Sequence, residues 1–367
     1  MLTISVKNFG PIAEGSVDLK PLTIFMGPNN TGKSYMATAV YALLRIFGQS
    51  LPSHDEDGLA SVLDAELSRL FGPVSSLTRG QNRANTLKIG VERWEPSASV
   101  SYSLPPDSFS LRCEVAQTMP HWTAESLPSE CYYLPACRSW VACAGKSSPL
   151  LPGTGADFSR HWRQLMAGQL RPAPATEAIG RVAEFLEGAI LLGGVIEVQR
   201  PGSPAPRDGL ALQLRHASAA VSELAPLILF LKYVVQPGDL LILEEPESHL
   251  HPAAQLQMAR GIARLVNAGV RVLITTHSGD FKGQIDNLLS MSNVSRETAE
   301  SQGLEPEDCL QPEQVSAYGF HIDPDQGGSV AYPLPVGSDV GIEDEEFLPI
   351  AEYLYDQAIQ FQRNRLA

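Results

Sequence analysis

The chain has 367 residues, 44% hydrophobic and 19% charged, enough for one large domain or two small ones around a proper core. A net charge of −14 excludes a protein built around a broad basic face for nucleic acid. No run approaches the roughly 18 uncharged apolar residues of a membrane span, and MLTISVKNFG lacks the layout of a secretory signal, so the expected compartment is the cytosol.

In chain order, LTISV (2–6), EGSVDL (14–19) and LTIFM (22–26) read as strands, apolar and rich in β-branched residues. KSYMATAVYALLRIFG (33–48) carries apolar residues at helical spacing and stops at Gly48, and DGLASVLDAELSRLF (57–71) reads as a second helix. The period then changes. TLKIGVERW, SVSYSL and FSLRCEV predict three strands separated by Pro/Ser turns, and CYYLPACRS (131–139) a short strand ending in a loop. Residues 155–190 are expected to be helical, interrupted by RPAPAT; GGVIEVQR and LALQLRH are expected to form a hairpin across PGSPAPRDG. From 218 the pattern is plainer: a helix in SAAVSELAPLILFLKYVV, a buried strand in GDLLILEEP, an amphipathic helix in PAAQLQMARGIARLVNAG and a buried strand in VRVLITTHS. Strand–helix–strand in that order predicts a parallel sheet with a crossover helix. The tail is expected to hold a hairpin over 315–333 and a last helix over about 344–362. The five cysteines are odd in number and show no CxxC spacing, which points to buried or idle thiols rather than disulfides or a zinc site.

Three constellations carry chemistry. Gly27-Pro28-Asn29-Asn30-Thr31-Gly32-Lys33-Ser34 fits G-x-x-x-x-G-K-[ST] at every fixed position, after an apolar strand and at the start of a helix. Glycines let successive backbone N–H groups turn toward phosphate oxygens, and the helix N-terminus adds partial positive charge. Lys33 can reach the β- and γ-phosphates, and the Ser34 hydroxyl can ligate Mg²⁺. Secondly, LLILEEPESHLHP delivers Glu244 and Glu245 to the carboxyl end of a parallel strand, where such folds bind ligands. The first carboxylate would help hold Mg²⁺; the second would orient or deprotonate an attacking water. Finally, His277 in LITTHS ends another strand, where an imidazole can hydrogen-bond a γ-phosphate. Taken singly, the two glutamates also read as a solvated strand end and the histidine as a satisfied loop residue. Their order along the chain, behind a P-loop, favours the functional reading.

Together these pieces resemble an ABC-type ATPase head of the kind shared by SMC/RecF proteins and OLD-family ATPases, and within it the small AAA_15/AAA_21-type ATPases. Residues 218 to about 289 carry most of the likeness and residues 1–48 come second. The resemblance implies an α/β fold, a P-loop NTPase of ABC-ATPase type: a mixed sheet core with an antiparallel β subdomain and a helical lobe. It divides the single domain into an N-terminal lobe (1–138), a helical insert with hairpin (139–217) and a C-terminal lobe (218–367). Gly27 to Ser34 match Walker A; Glu244 and Glu245 match the magnesium carboxylate and the catalytic glutamate; His277 matches the switch histidine. Ser248-His249-Leu250-His251 fall where the D-loop lies, Ser218-Ala219-Ala220 take the place of the signature, and LPACRS resembles a phosphate-proximal loop that would bring Arg138 to the nucleotide. Two positions depart from the pattern. Glu244 stands where most such heads have aspartate, which leaves open which glutamate is the base. The signature has alanines for glycines, so the backbone approaches phosphate less closely, implying a slow or partner-dependent hydrolase.

The resemblance implies ATP and Mg²⁺ as cofactors and a homodimer closed through ATP, the Ser218 of each copy facing the Walker A of the other. Its expected role is an ATPase subunit controlling a nearby-encoded effector, a nuclease or toxin, in prokaryotic anti-phage defence, with DNA contact as an option. The alternative is a RecF-like DNA-maintenance ATPase, although the insert before Ser218 spans only about 80 residues and has no heptad run. A transporter subunit is disfavoured by the alanine signature. A nuclease of its own is disfavoured because Asp323-x-Asp325 lies in a Pro/Gly turn.

Overall fold

The structure, a computed structural model, describes residues 2–48, 56–73, 76–77, 87–94, 97–104, 112–116, 127–144, 153–167, 176–192, 194–198, 213–344, 357 and 359. Its strands are β1 (Leu2–Phe9), β2 (Ile12–Leu19), β3 (Leu22–Met26), β4 (Leu87–Trp94), β5 (Ser97–Leu104), β6 (Arg112–Ala116), β7 (Cys131–Leu134), β8 (Leu240–Glu244), β9 (Arg271–Thr276), β10 (Val315–Asp323) and β11 (Gly328–Leu334). The helices used below are α1 (Lys33–Gly48), α2 (Glu56–Phe71), α3 (Arg138–Ala144), α4 (Thr154–Met166), α5 (Glu177–Ile190), α6 (Ala219–Tyr233), α7 (Pro252–Asn267) and α8 (Gly279–Ser290).

One mixed sheet of 11 strands runs β6-β5-β4-β1-β2-β11-β10-β3-β9-β8-β7. Strands β4, β5 and β6 extend it antiparallel beyond β1, while β10, β3, β9, β8 and β7 run parallel. The parallel strands are covered on both faces, which is why β3, β8 and most of β9 read as unbroken apolar runs. Successive side chains nevertheless serve different cores. Leu241 and Leu243 of β8 join Val272 and Ile274 of β9 and Leu22 and Ile24 of β3 beneath α6, α7 and α8. Leu240, Ile242, Leu273 and Phe25 point the other way, onto α1 and α2. Strand β1 alternates instead, burying Leu2, Ile4 and Val6 against the α1 core.

The helical lobe is fastened at two places. Helix α5 lies so close to α7 that a Cβ on Gly261 would sit 2.5 Å from Leu186 Cδ2. Buried Asp157 on α4 accepts from Arg45 Nη1 of α1 and Arg69 Nη2 of α2, each at 2.7 Å. These arginines hold its carboxyl below the usual range against the opposing effect of burial.

Two expectations change. The hairpin expected across 193–216 is absent among the described residues. Residues 194–198 run without a strand partner and 214–216 form a 3₁₀ turn, while 199–212 lie outside the described residues. The backbone of Ile196 bonds side chains instead of a ladder: Ile196 N donates to Glu187 Oε1 at 2.6 Å, and Lys232 Nζ donates to Ile196 O at 3.1 Å. After CYYL, the chain enters α3 at Arg138 rather than continuing as a loop. The helix expected over 344–362 falls almost wholly outside the described residues. By contrast β10 and β11 form the expected tail hairpin. At its turn Asp323 Oδ1 accepts from Asp325 N at 2.9 Å and Gln326 N at 3.3 Å, so that carboxylate caps a turn.

Candidate functional site

Parallel register assembles the site. Met26 at the end of β3 pairs with Thr276 at the end of β9, and Thr275 pairs with Glu244 at the end of β8. The residues that follow, Gly27, His277 and Glu245, therefore leave the sheet at the same level and on the same edge. With β9 between them, β3 and β8 are about 10 Å apart, a span suited to a polyphosphate and its counterion.

The loop after β3 is shaped by what surrounds it. Gly27 has φ +135°, and a Cβ there would lie 2.3 Å from Phe320 O of β10. Gly32 has φ +93°, and its Cβ would lie 2.7 Å from Ile12 Cγ1 at the start of β2. Both glycines are thus needed to fit the loop between β10 and the β1–β2 turn, whatever it binds. Thr31 Oγ1 donates to Pro28 O at 2.8 Å, closing the loop on itself. Lys33 is buried, and its ammonium lies over the loop, donating to Gly27 O and Pro28 O at 2.7 Å each. Pro28, Asn29 and Asn30 are exposed at the loop's crest, Asn30 at φ 65°, and Ser34 is exposed on the first turn of α1.

The turn after β8 is constrained and carboxylate-rich. Glu244 is 9% exposed; its Oε2 accepts from Ala136 N at 3.1 Å. Burial, and then the Glu244 charge, push the neighbouring Tyr133 phenol well above its ordinary range, which keeps it protonated. Glu245 sits at φ 43°, a left-handed conformation uncommon for a residue with a side chain. Its amide donates to Thr275 O at 3.0 Å, and its Oε2 accepts from Ser248 Oγ at 2.9 Å. The other oxygen, Oε1, lies 3.6 Å from His277 Nδ1, with both side chains partly open to solvent. A carboxylate and an imidazole facing each other beside a P-loop can orient a water molecule and share its proton.

Arg138 stands behind this turn. Buried at 3% exposure, its guanidinium donates to Glu244 O at 2.7 Å, Glu223 O at 3.1 Å and Glu245 O at 3.2 Å, and lies 3.3 Å from Glu223 Oε2. Here its hydrogen bonds go to the backbone of the acidic turn. Ser218 is the N-cap of α6: its hydroxyl accepts from Val221 N at 3.4 Å, and the residue is exposed. Within one chain Ser218 makes no hydrogen bond to the P-loop.

The donors present fit Mg²⁺. The ion is satisfied by one or two protein oxygens plus phosphate and water, and the site offers the Ser34 hydroxyl and the Glu244 carboxylate. No cluster of three or more His, Cys, Asp or Glu side chains suited to an all-protein metal cage occurs among the described residues. Two contributors escape a reading of the sequence: Glu247 and Thr276. Their only trace there is position, the first just after the Glu-Glu pair and the second just before the histidine.

Two family models match the chain. One, AAA_15, described as an AAA ATPase domain, covers residues 1–89 and so contains the P-loop. The other, AAA_21, an AAA domain family whose description names the AbiEii toxin and type IV TA systems, covers residues 157–281, from α4 past His277. Among solved structures, the chain is similar to an Smc head bound to the C-winged helix domain of ScpA. The identity is 15% and the TM-score 0.49, over 90% of this chain and 96% of that one. It is also similar to the SMC head domain from Thermotoga maritima (14%, TM-score 0.44, 91% and 98% covered). A third is the Smc head with an extended coiled coil, bound to the C-terminal domain of ScpA, from Pyrococcus furiosus (11%, TM-score 0.48, 98% and 100% covered). No curated protein matches the chain.

Proposed function

We propose that this chain, which matches AAA ATPase family models over residues 1–89 and 157–281, is an ABC-type ATPase head of the SMC/RecF group that binds ATP with Mg²⁺ at Gly27–Ser34 and hydrolyses it slowly, as one half of a homodimer that controls an effector. The observation that carries this reading is the shared strand-end level of Gly27, Glu245 and His277, with Glu245 Oε1 3.6 Å from His277 Nδ1.

The geometry and the motifs these residues match support the following roles. The exposed crest of the loop and the N-terminus of α1 offer N–H groups and partial positive charge to phosphate. Lys33 exchanges its two carbonyl partners for phosphate oxygens, a stronger charge-assisted pairing. Ser34 and Glu244 hold Mg²⁺, which when bound supplies charge neutralisation to the phosphates. Glu245 orients the attacking water and takes its proton, and His277 reports on the γ-phosphate. Exposed Ser218, at the start of a 15-residue helix, supplies the contact that a second copy makes with the nucleotide. Arg138 acts from beneath the site.

The effector role in prokaryotic anti-phage defence rests on the family described by its AbiEii toxin and type IV TA systems. A RecF-like DNA-maintenance role has less support, given the net charge of −14.

The test is Glu245→Gln, which keeps the shape of the turn and removes the base. The variant should bind ATP, fail to turn it over and run as a dimer in size-exclusion chromatography with mass detection. A strict monomer with ATP bound would overturn the dimer, and full turnover would overturn the assignment of Glu245.

A further inference from the structure

Beyond these roles, one buried acidic side chain has no place in them. Glu247 is 3% exposed, yet it belongs to a turn whose neighbours reach solvent. Its Oε1 accepts twice from the other side of the site: from Thr276 Oγ1 at 2.5 Å and from the His277 amide at 3.3 Å. The contact continues. Thr276 Oγ1 accepts from Ser278 N at 3.1 Å; Ser278 Oγ contacts Gln255 Oε1 at 2.7 Å; Gln255 Nε2 donates to Leu250 O at 3.1 Å. Leu250 N in turn donates to Glu247 O at 3.1 Å. A closed polar ring thus joins the turn 245–250, the end of β9 and the first turns of α7 and α8. His277 joins this ring through its amide, and Glu245, which must face it, lies two residues before Glu247 on the same turn.

We infer that Glu247 is a positioning residue for nucleotide hydrolysis, clamping the His277 backbone to the turn that carries Glu245 so that displacement of residues 248–251 displaces the histidine with it. The inference deepens the ATPase reading and rests on it for its catalytic consequence. The clamp itself is a property of the fold.

A buried carboxylate is a costly choice for a mere brace. Burial pushes the Glu247 carboxyl up, its hydrogen bonds oppose the shift only in part, and Oε2 has no hydrogen-bond partner among the described residues. Arg138 is the cation whose field Glu247 shares with Glu223, Glu244 and Glu245. What the carboxylate supplies that an apolar side chain would not is two acceptor contacts from a single atom. They hold the hydroxyl at the end of β9 and the amide of His277 that follows it.

The experiment compares Glu247→Ala, Glu247→Gln and Thr276→Val in the full chain. Steady-state hydrolysis and nucleotide affinity are measured beside NMR of ¹³C-labelled histidine side chains, with His277 assigned through His277→Gln. Glu247→Ala should lose on the order of 100-fold in kcat, the scale of a misplacement of about 1 Å, with KM and nucleotide affinity within about three-fold and a shifted His277 signal. Thr276→Val should shift the signal in the same direction and add little to Glu247→Ala, because Glu247→Ala already removes the contact that Thr276→Val cuts. Glu247→Gln keeps an acceptor oxygen and should restore both kcat and the signal. An unmoved His277 signal in Glu247→Ala, or a kcat loss equal in Gln and Ala, overturns the clamp. Wild-type protein without turnover would overturn the ATPase reading alone, and the histidine spectra would still decide on Glu247.

Discussion

Arg138→Ala separates support from ligand contact. In the structure this side chain pairs with Glu223 Oε2 at 3.3 Å and donates to the carbonyls of residues 135, 223, 244 and 245 at 2.7–3.4 Å. Glu223 is itself 3% exposed; Ser139 hydrogen-bonds its other oxygen. Truncation therefore strands one carboxylate and several carbonyls in a dry interior. Breaking one partner of a buried pair costs about 3–5 kcal/mol, so Tm should fall by roughly 5–10 °C. Adding Glu223→Gln should recover part of the loss, because the stranded charge is then gone. Calorimetry with and without nucleotide reads both effects. An Arg138→Ala protein that melts as wild type but binds ATP ten-fold more weakly would refute the bracing role and make Arg138 a phosphate ligand.

Lys33→Ala removes the charge over the loop and its two bonds to Gly27 O and Pro28 O, while Thr31 Oγ1 still closes the loop on Pro28 O. It should abolish measurable ATP affinity in titration calorimetry and leave Tm within a few degrees, and full ATPase activity would misplace the loop. Gly27→Ala should be severely destabilised or insoluble, since its Cβ would meet Phe320 O at 2.3 Å at φ +135°. A melting curve matching wild type would contradict that packing. Burial pushes Asp239 from 3.8 up to about 6, against two backbone N–H groups that favour its charge. The folded state then holds its proton more tightly than the unfolded chain. This group's contribution is fully present below about pH 4 and is lost as pH rises through about 6. The stability difference between Asp239→Asn and wild type should change across that window in urea melts, and a flat difference would contradict the shift.

Much of this protein could be read from residue order alone. The P-loop is legible because its chemistry needs fixed residue types at fixed spacing in one local segment, and Lys33 and Ser34 sit where that segment puts them. Buried parallel strands betray themselves as apolar runs, so β3, β8 and β9 were visible, and with them the strand-end positions of Glu244, Glu245 and His277. The stretch over 194–216 misled because an alternating pattern predicts strand tendency but not the presence of a strand partner. Side chains from α5 and α6, Glu187 and Lys232, bond the backbone of Ile196 there instead. Arg138 was noticed for its neighbourhood, but which way its guanidinium points is a matter of tertiary packing. Glu247 and Thr276 were invisible because each is an ordinary residue until the register of β8 against β9 sets them 2.5 Å apart. Local chemistry thus determined which loop can hold phosphate. Only the long-range pairing of strands, on which single-sequence patterns are silent, decided which side chains face it and which hold it in place.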